Sequence, residues 1–151
     1  MIYIGSDHQG YILKEQIKKY LKTKKIRFED IGVDSDQKKV DYPDYAIKVA
    51  EKVVAKKGAR GILLCGSGIG MVVAANKVKG ARAGQAHNQQ VVRGGRHDDD
   101  MNILVLAAWD LDLPRAKQIV ADFLRTKFGR ARRYHQRLKK IERYEKKAFK
   151  L

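Results

Sequence analysis

The sequence predicts an α/β fold: an open, parallel five-stranded sheet with helices on both faces, followed by one further helix. Three observations predict it. Short apolar runs alternate with amphipathic stretches along the whole chain, as in successive βαβ units. Two of the runs, residues 61–65 and 102–107, show no polar alternation inside, as expected of strands covered on both faces. The 151 residues, 44% of them hydrophobic, suit one packed core.

The elements follow in order. Residues 2–5 form a short apolar run closed by Gly5 and read as the first strand. Leu13, Ile17, Tyr20, Leu21 and Lys24 then fall at helical spacing. Residues 27–32 alternate and end at Gly32, giving a second strand. Pro43 suits a first helical turn, and Ala46, Val49, Ala50, Val53 and Val54 form the apolar stripe behind it. Residues 61–65 are the third strand and 69–77 a helix. Residues 81–86 read as a weaker fourth strand, and 88–96 as a short helix broken at Gly94-Gly95. Residues 102–107 are the fifth strand. Pro114 opens a helix with Ala116, Ile119, Val120, Phe123 and Leu124 on its inner face. A last helix starts at about 130, with Tyr134, Leu138, Ile141 and Ala148 on one side. No internal repeat, low-complexity linker or boundary interrupts residues 1–151, which read as a single domain. The expected strand order is 2-1-3-4-5.

Charge and composition narrow the partners. The net charge is +16, and residues 125–151 hold 12 Lys/Arg against 2 Asp/Glu. A basic end of this kind suits nucleic acid, anionic lipid, a phosphorylated small molecule, or simply a solvated helix face. The chain shows neither a nucleic-acid motif nor an aromatic stacking run, which argues against nucleic acid. No stretch approaches the ~20 apolar residues of a membrane span. The start has no signal-peptide pattern, and a lone cysteine fits a reducing compartment, so a cytoplasmic location is expected.

In sheets of this kind, ligands bind beyond the carboxyl ends of the strands, where the strand order switches. Two such ends are polar here. The first carries Asp7 and His8, suited to binding hydroxyls or an anion, or to capping the first helix. The second is Cys65-Gly66-Ser67-Gly68-Ile69-Gly70-Met71. Its alternate glycines let backbone N–H groups approach an anion at a helix N-terminus. The loop is neither a dinucleotide fingerprint, since Met71 stands where the third glycine belongs, nor a P-loop. A helix N-terminus would lower the Cys65 pKa and ready it as base or nucleophile; the alternative is a buried structural thiol. The run Asp98-Asp99-Asp100 after His97 does not make a metal site, because consecutive side chains point in different directions. Arg133 and Arg137, four apart, share a helix face and can clamp a phosphate.

At these residues the chain resembles the ribose-5-phosphate isomerase type B family, which includes galactose-6-phosphate isomerases. The resemblance covers nearly the whole chain. It rests on Gly5-Ser6-Asp7-His8, on Val40-Asp41-Tyr42-Pro43-Asp44-Tyr45-Ala46, on the Cys65 loop, on Ala74-Ala75-Asn76-Lys77, and on Arg133 with Arg137. It implies a Rossmann-like three-layer αβα sandwich, and a homodimer or dimer of dimers whose active sites are shared between chains. It implies aldose–ketose isomerisation without metal or cofactor, with ribose 5-phosphate and ribulose 5-phosphate as the expected pair. Position by position, Cys65 corresponds to the base, and Gly66, Ser67, Gly68, Ile69 and Gly70 to the enediolate cradle. Asp7, His8 and Tyr42 would line the pocket, with Arg133 and Arg137 on the phosphate. The chain departs from the family where a His-Asn pair precedes Asp100-Met101-Asn102: Asp98 and Asp99 stand there, with His97 one residue early. A common family arginine is replaced by Trp109.

Asp98, its pKa raised by two neighbouring carboxylates, or a shifted His97 would then open the sugar ring. Alternatively the substrate needs no ring opening, as with a four-carbon sugar phosphate, or is a hexose such as galactose or allose 6-phosphate. The alternative from another class is a non-catalytic anion- or nucleic-acid-binding protein using the basic tail.

Overall fold

The computed structural model describes residues 1–149. Its strands are β1 (Ile2–Ser6), β2 (Phe28–Gly32), β3 (Arg60–Cys65), β4 (Ala83–Gln85) and β5 (Ile103–Ala107). Its helices are α1 (Tyr11–Thr23), α2 (Tyr42–Ala55), α3 (Ile69–Ala75), α4 (Gln89–Asp99), α5 (Leu113–Arg125) and α6 (Arg132–Ala148). The strands are all parallel, and α6 follows the last of them as expected.

The order is β2-β1-β3-β5-β4, which corrects the expected 2-1-3-4-5. Burial explains the exchange. All five residues of β5 are buried, so the interior position beside β3 is the one that satisfies it. The three residues of β4 are only partly buried and take the edge. Interior strands bury both faces, and each fully buried Leu, Ile or Val contributes about 1.5–3 kcal/mol.

The two faces of each strand feed two apolar layers. Ile4, Ile62, Leu64, Leu104 and Leu106 pack beneath α1 and α5, against Ile17, Leu21, Ile119, Val120 and Phe123. Tyr3, Leu63, Cys65, Ile103 and Val105 point the other way, against Ala46, Val49, Ala50 and Met71 of α2 and α3. Pro43 and Pro114 do sit in first helical turns, and Asp112 caps α5 by accepting from the Arg115 N–H.

The helix expected to break at Gly94-Gly95 runs on to Asp99. The Asn88 side chain caps its start, and Val92 and Arg96 bury one face. At its far end Asp100 adopts a left-handed φ of 46° and pairs with Arg96 and Arg82 at 2.9 and 2.8 Å. The extra turn carries His97, Asp98 and Asp99 on a helix rather than in a loop.

Helical spacing alone misses Lys14, which is fully buried beside the apolar stripe of α1. Its ammonium donates to both Asp30 oxygens, at 2.8 and 2.9 Å, and to the Val33 carbonyl at 2.8 Å. Burial would raise the Asp30 pKa, but the hydrogen bonds from Lys14, Lys18 and the Gly32 N–H outweigh it and hold the carboxyl below its usual range.

The helix α6 touches α4, and Tyr134 is its one buried residue. Its far end is tied where the Gly80 N–H donates to Glu145 at 3.0 Å. Between them an open groove of about 860 Å³ separates α6 from the β4 edge, lined by Leu138, Ile141, Tyr144 and Met101 among others. Among the described residues no helix is long and apolar enough to cross a membrane.

Candidate active site

The strand ends that carry polar loops, β1 and β3, are hydrogen-bonded neighbours, so their loops meet over the carboxyl edge of the sheet. The Asp7 N–H donates to the Leu64 carbonyl at 3.2 Å, and the Asp7 carboxylate accepts from the Gly10 N–H at 3.0 Å. That last bond closes the turn ahead of α1, whose N-cap is Gly10 and which has no side-chain cap. The Nδ1 of His8 accepts from the Val40 N–H at 3.3 Å, which leaves the ring proton on Nε2. His8 thereby links the first loop to the segment leading into α2.

Cys65 ends β3 inside the apolar layer and is only 4% exposed. The Gly68 N–H donates to its sulfur at 3.1 Å. Its pKa is raised above the usual thiol value, which corrects the expected lowering. Burial is the largest cause, and the nearby Asp7 charge adds to it; together they outweigh the Met71, Gly68 and Ser67 N–H groups that favour the thiolate. Burial thus favours the thiol over the thiolate, while the Gly68 N–H points at the sulfur.

The glycines of this loop have packing reasons as well as electrostatic ones. Gly68 has φ 81°, a left-handed conformation that disfavours any side chain. A Cβ there would also stand 2.8 Å from the Gln85 amide, whose Nε2 donates to the Ser67 carbonyl at 2.9 Å. A Cβ on Gly66 would collide with the Trp109 indole, and one on Gly70 would stand 2.7 Å from the Tyr42 ring. Trp109 is fastened to the loop by its N–H, which donates to the Gly66 carbonyl at 3.1 Å. Its Nε1 reaches towards Gln9 at 3.5 Å, while 69% of the residue stays exposed. The Ser67 hydroxyl accepts from the Ile69 N–H at 3.3 Å, and Ile69 itself is exposed.

One crevice therefore gathers Asp7, His8, Tyr42, Cys65, Gly66, Ser67, Gly68, Ile69 and Gly70. Gln9, Gln85 and Trp109 complete its wall. Trp109 was singled out from the sequence, whereas Gln9 and Gln85 were not. Gln85 had a legible signal as the polar residue at the carboxyl end of a strand.

The remaining predicted residues form a second cluster, on α4 and α6. Asp98 and His97 pair at 2.7 Å, and the His97 ring meets Tyr134 edge-on at 5.3 Å. Arg133 donates to the Tyr134 hydroxyl at 2.8 Å. The Asp98 pKa is lowered, first by the hydrogen bond from His97, which corrects the expectation that its acidic neighbours raise it. Asp99 lines the groove beside α6, and Arg137 lies with Arg133 in a shallow recess of about 440 Å³ on the surface of α6. Among the described residues no hydrogen bond or ion pair joins this cluster to the Cys65 loop. No group of three His, Cys, Asp or Glu side chains is arranged to hold a metal ion among them either, the acidic run included.

Known proteins match this arrangement along most of the chain. Residues 2–141 match the family model described as Ribose/Galactose Isomerase. A probable ribose-5-phosphate isomerase B of Mycoplasma genitalium is 40% identical over 148 residues, covering 96% of this chain and 95% of that one. The crystal structure of a ribose 5-phosphate isomerase from Thermotoga maritima superposes with a TM-score of 0.90 at 42% identity, covering 94% of this chain and 97% of that one. The Mycoplasma genitalium ribose-5-phosphate isomerase B, with ribulose-5-phosphate bound, gives a TM-score of 0.92 at 39% identity, covering 97% of each chain. The family model and these likenesses define the class as a sugar-phosphate isomerase. The chain belongs to the ribose/galactose isomerase family.

Proposed function

We propose that this protein interconverts ribose 5-phosphate and ribulose 5-phosphate through an enediolate, with Cys65 as the base. The observation that carries the reading is Cys65 at the floor of the crevice, its sulfur accepting from the Gly68 N–H and its carboxyl neighbour Asp7 across the loop junction. The Cys65 thiol gives its proton to solvent, and the thiolate removes the proton from C2 of the open aldose. The electron pair passes to the C1 carbonyl oxygen, and the 2-hydroxyl proton moves to that oxygen. The thiol returns its proton to C1 as the C2 carbonyl forms, which gives the ketose and the thiolate again. The enediolate concentrates charge on oxygen. The amides of Gly66, Ser67, Gly68, Ile69 and Gly70, with the Ser67 hydroxyl, are fixed donors for that charge and need no reorganisation. Asp7, His8 and Tyr42 hold the sugar. The Mycoplasma genitalium relative with ribulose-5-phosphate bound supports this substrate pair.

Arg133 and Arg137 bind the phosphate, and His97, oriented by Asp98, donates the proton that opens the furanose ring, with Asp99 beside them. A lowered carboxyl pKa suits Asp98 to orienting His97 rather than to giving up a proton itself. Because this cluster stands apart from Cys65 within one chain, it serves the crevice of a second copy. The active unit is a homodimer with shared sites, and the exposed Ile141 and Tyr144 of the α6 groove face the partner.

Trp109 supports a second reading. Its indole fills the space against Gly66, which favours a shorter, four-carbon sugar phosphate. One experiment tests both. Four-, five- and six-carbon aldose and ketose phosphates are incubated in deuterated water with wild type and Cys65→Ala. Exchange on one substrate, lost in the variant, is expected. Exchange on none would end the isomerase assignment of this site.

A further inference from the structure

The amino-terminal edge of the sheet, opposite the Cys65 loop, carries a concentration of charge the isomerase reading does not use. A cavity of about 530 Å³ opens there, lined by Lys56, Lys57, Arg60, Lys79, Arg82 and Arg96. Among the described residues the one carboxylate in its lining is Asp100, and Arg82 and Arg96 already share it, at 2.8 and 2.9 Å. Arg96 is 4% exposed, and its Nε has no hydrogen-bond partner among the described residues. The guanidinium carbons of Arg60 and Arg96 lie 5.6 and 5.8 Å from the centre of the same Phe123 ring, so two like charges are held close together. Burial and then the Arg96 charge lower the Arg60 pKa, against the pull of Asp100. Lys56, Lys57 and Lys79 are exposed and enter no ion pair among the described residues.

Helix C-termini attract cations, and α2 and α4 both end at this cavity. Magnitudes decide whether that explains the cluster. Each C-terminus contributes about half a negative charge. A third helix end, that of α5, supplies the Phe123 and Leu124 carbonyls that accept from Arg60 at 2.6 and 2.7 Å. With Asp100 the negative total is then about −2.5 against six cations, and roughly three to four positive charges remain uncompensated. Buried or confined like charges are costly, and an anion that enters relieves them.

We propose that this cavity is a second anion site, which takes a compact, multiply charged phosphate such as pyrophosphate. Arg82 is committed to Asp100 and Gly80. Arg60 and Arg96 keep N–H groups beyond those given to the Phe123, Leu124, Met101 and Asp100 oxygens, the Arg96 Nε among them, to match phosphate oxygens. The three lysines supply mobile charges at the rim. No residue from 65 to 70 lines the cavity, so the site is separate from the crevice and independent of the isomerase reading.

Isothermal titration of the full chain with pyrophosphate tests it. The comparison variants are Lys56→Gln/Lys57→Gln/Lys79→Gln, which alters exposed side chains only, and Arg137→Ala. The lysine variant is expected to bind about tenfold more weakly or worse, with its melting temperature and isomerase turnover retained. Arg137→Ala is expected to keep the binding event. Amide resonances of Gly58, Ala59, Gly61 and Gly80 are expected to shift with pyrophosphate in a protein already saturated with ribose 5-phosphate. Unchanged affinity in the lysine variant, loss in Arg137→Ala, shifts confined to residues 65–70, or tighter binding of a polynucleotide than of pyrophosphate would each overturn the proposal.

Discussion

The crevice around Cys65 and the cluster around His97 are both built from residues that the sequence marked, yet they differ in how they are held. The crevice is packed. Cys65 is buried, and Gly66, Gly68 and Gly70 each lie against a neighbouring side chain that leaves no room for a Cβ. The His97 cluster is half open: its Asp98 and His97 side chains are 44% and 51% exposed, and they are joined by a single pair of atoms at 2.7 Å. Chemistry that needs fixed dipoles belongs to a packed loop, since reorganisation there is already complete. Under the proposed function the exposed groups meet substrate only when two chains come together. The contrast fits the proposed division of labour, in which the first region works within a single copy and the second serves the crevice of another.

The largest test of that contrast mixes two inactive chains. Cys65→Ala and Arg137→Ala are each expected to lose about 10²–10⁴ in turnover, the range for a lost base or a lost substrate clamp. Unfolded together and refolded as a mixture, they are expected to regain about a quarter of wild-type activity, because half the dimers then hold one intact site. No regain would mean that both regions act within one chain.

Next in size is Gly68→Ala. It forces a side chain into left-handed φ and against Gln85, and it misaims the N–H that reaches the Cys65 sulfur. A loss of about 10²–10³ in kcat is expected, as for removal of a fixed amide donor. The accompanying destabilisation is about 1–3 kcal/mol, read by urea unfolding.

A smaller effect separates the clusters chemically. Asp98→Asn removes the partner that orients His97, and about tenfold slower turnover of ring-closed ribose 5-phosphate is expected, with an obligately open-chain four-carbon substrate hardly affected. Equal losses on both would remove the ring-opening role. The pH dependence adds a second readout of the crevice. Since the Cys65 pKa is raised, kcat/KM is expected to climb with pH to beyond the range where a free thiol ionises.

The smallest effect concerns stability alone. The Asp30 pKa is lowered in the folded chain, so its contribution is fully present above the unfolded value of about 3.9 and is lost as pH falls through the folded one. Unfolding by urea between pH 6 and 3 is expected to show this loss, and Lys14→Met is expected to flatten the curve while lowering stability by about 3–5 kcal/mol.

Much of this molecule was determined by sequence alone. The βαβ alternation, the helix-starting prolines and the inner faces of α2 and α5 are local matters of period and capping, and each segment carries its own signal. The Cys65 loop and the family were legible because a run of consecutive residues carries them. Tertiary structure decided the rest. The place of β5 between β3 and β4 depends on which strands can bury both faces, which no single segment states. The direction of the Cys65 pKa reversed the local expectation because burial and Asp7 act across space rather than along the chain, and that of Asp98 because the helix sets its carboxyl against the adjacent His97 ring. Nothing in their own segments marks Lys14 or the cations around Asp100; the fold brings them to one buried pair and one cavity. Charge is written in the sequence, but what it costs or attracts depends on how far it stands from water and from other charges.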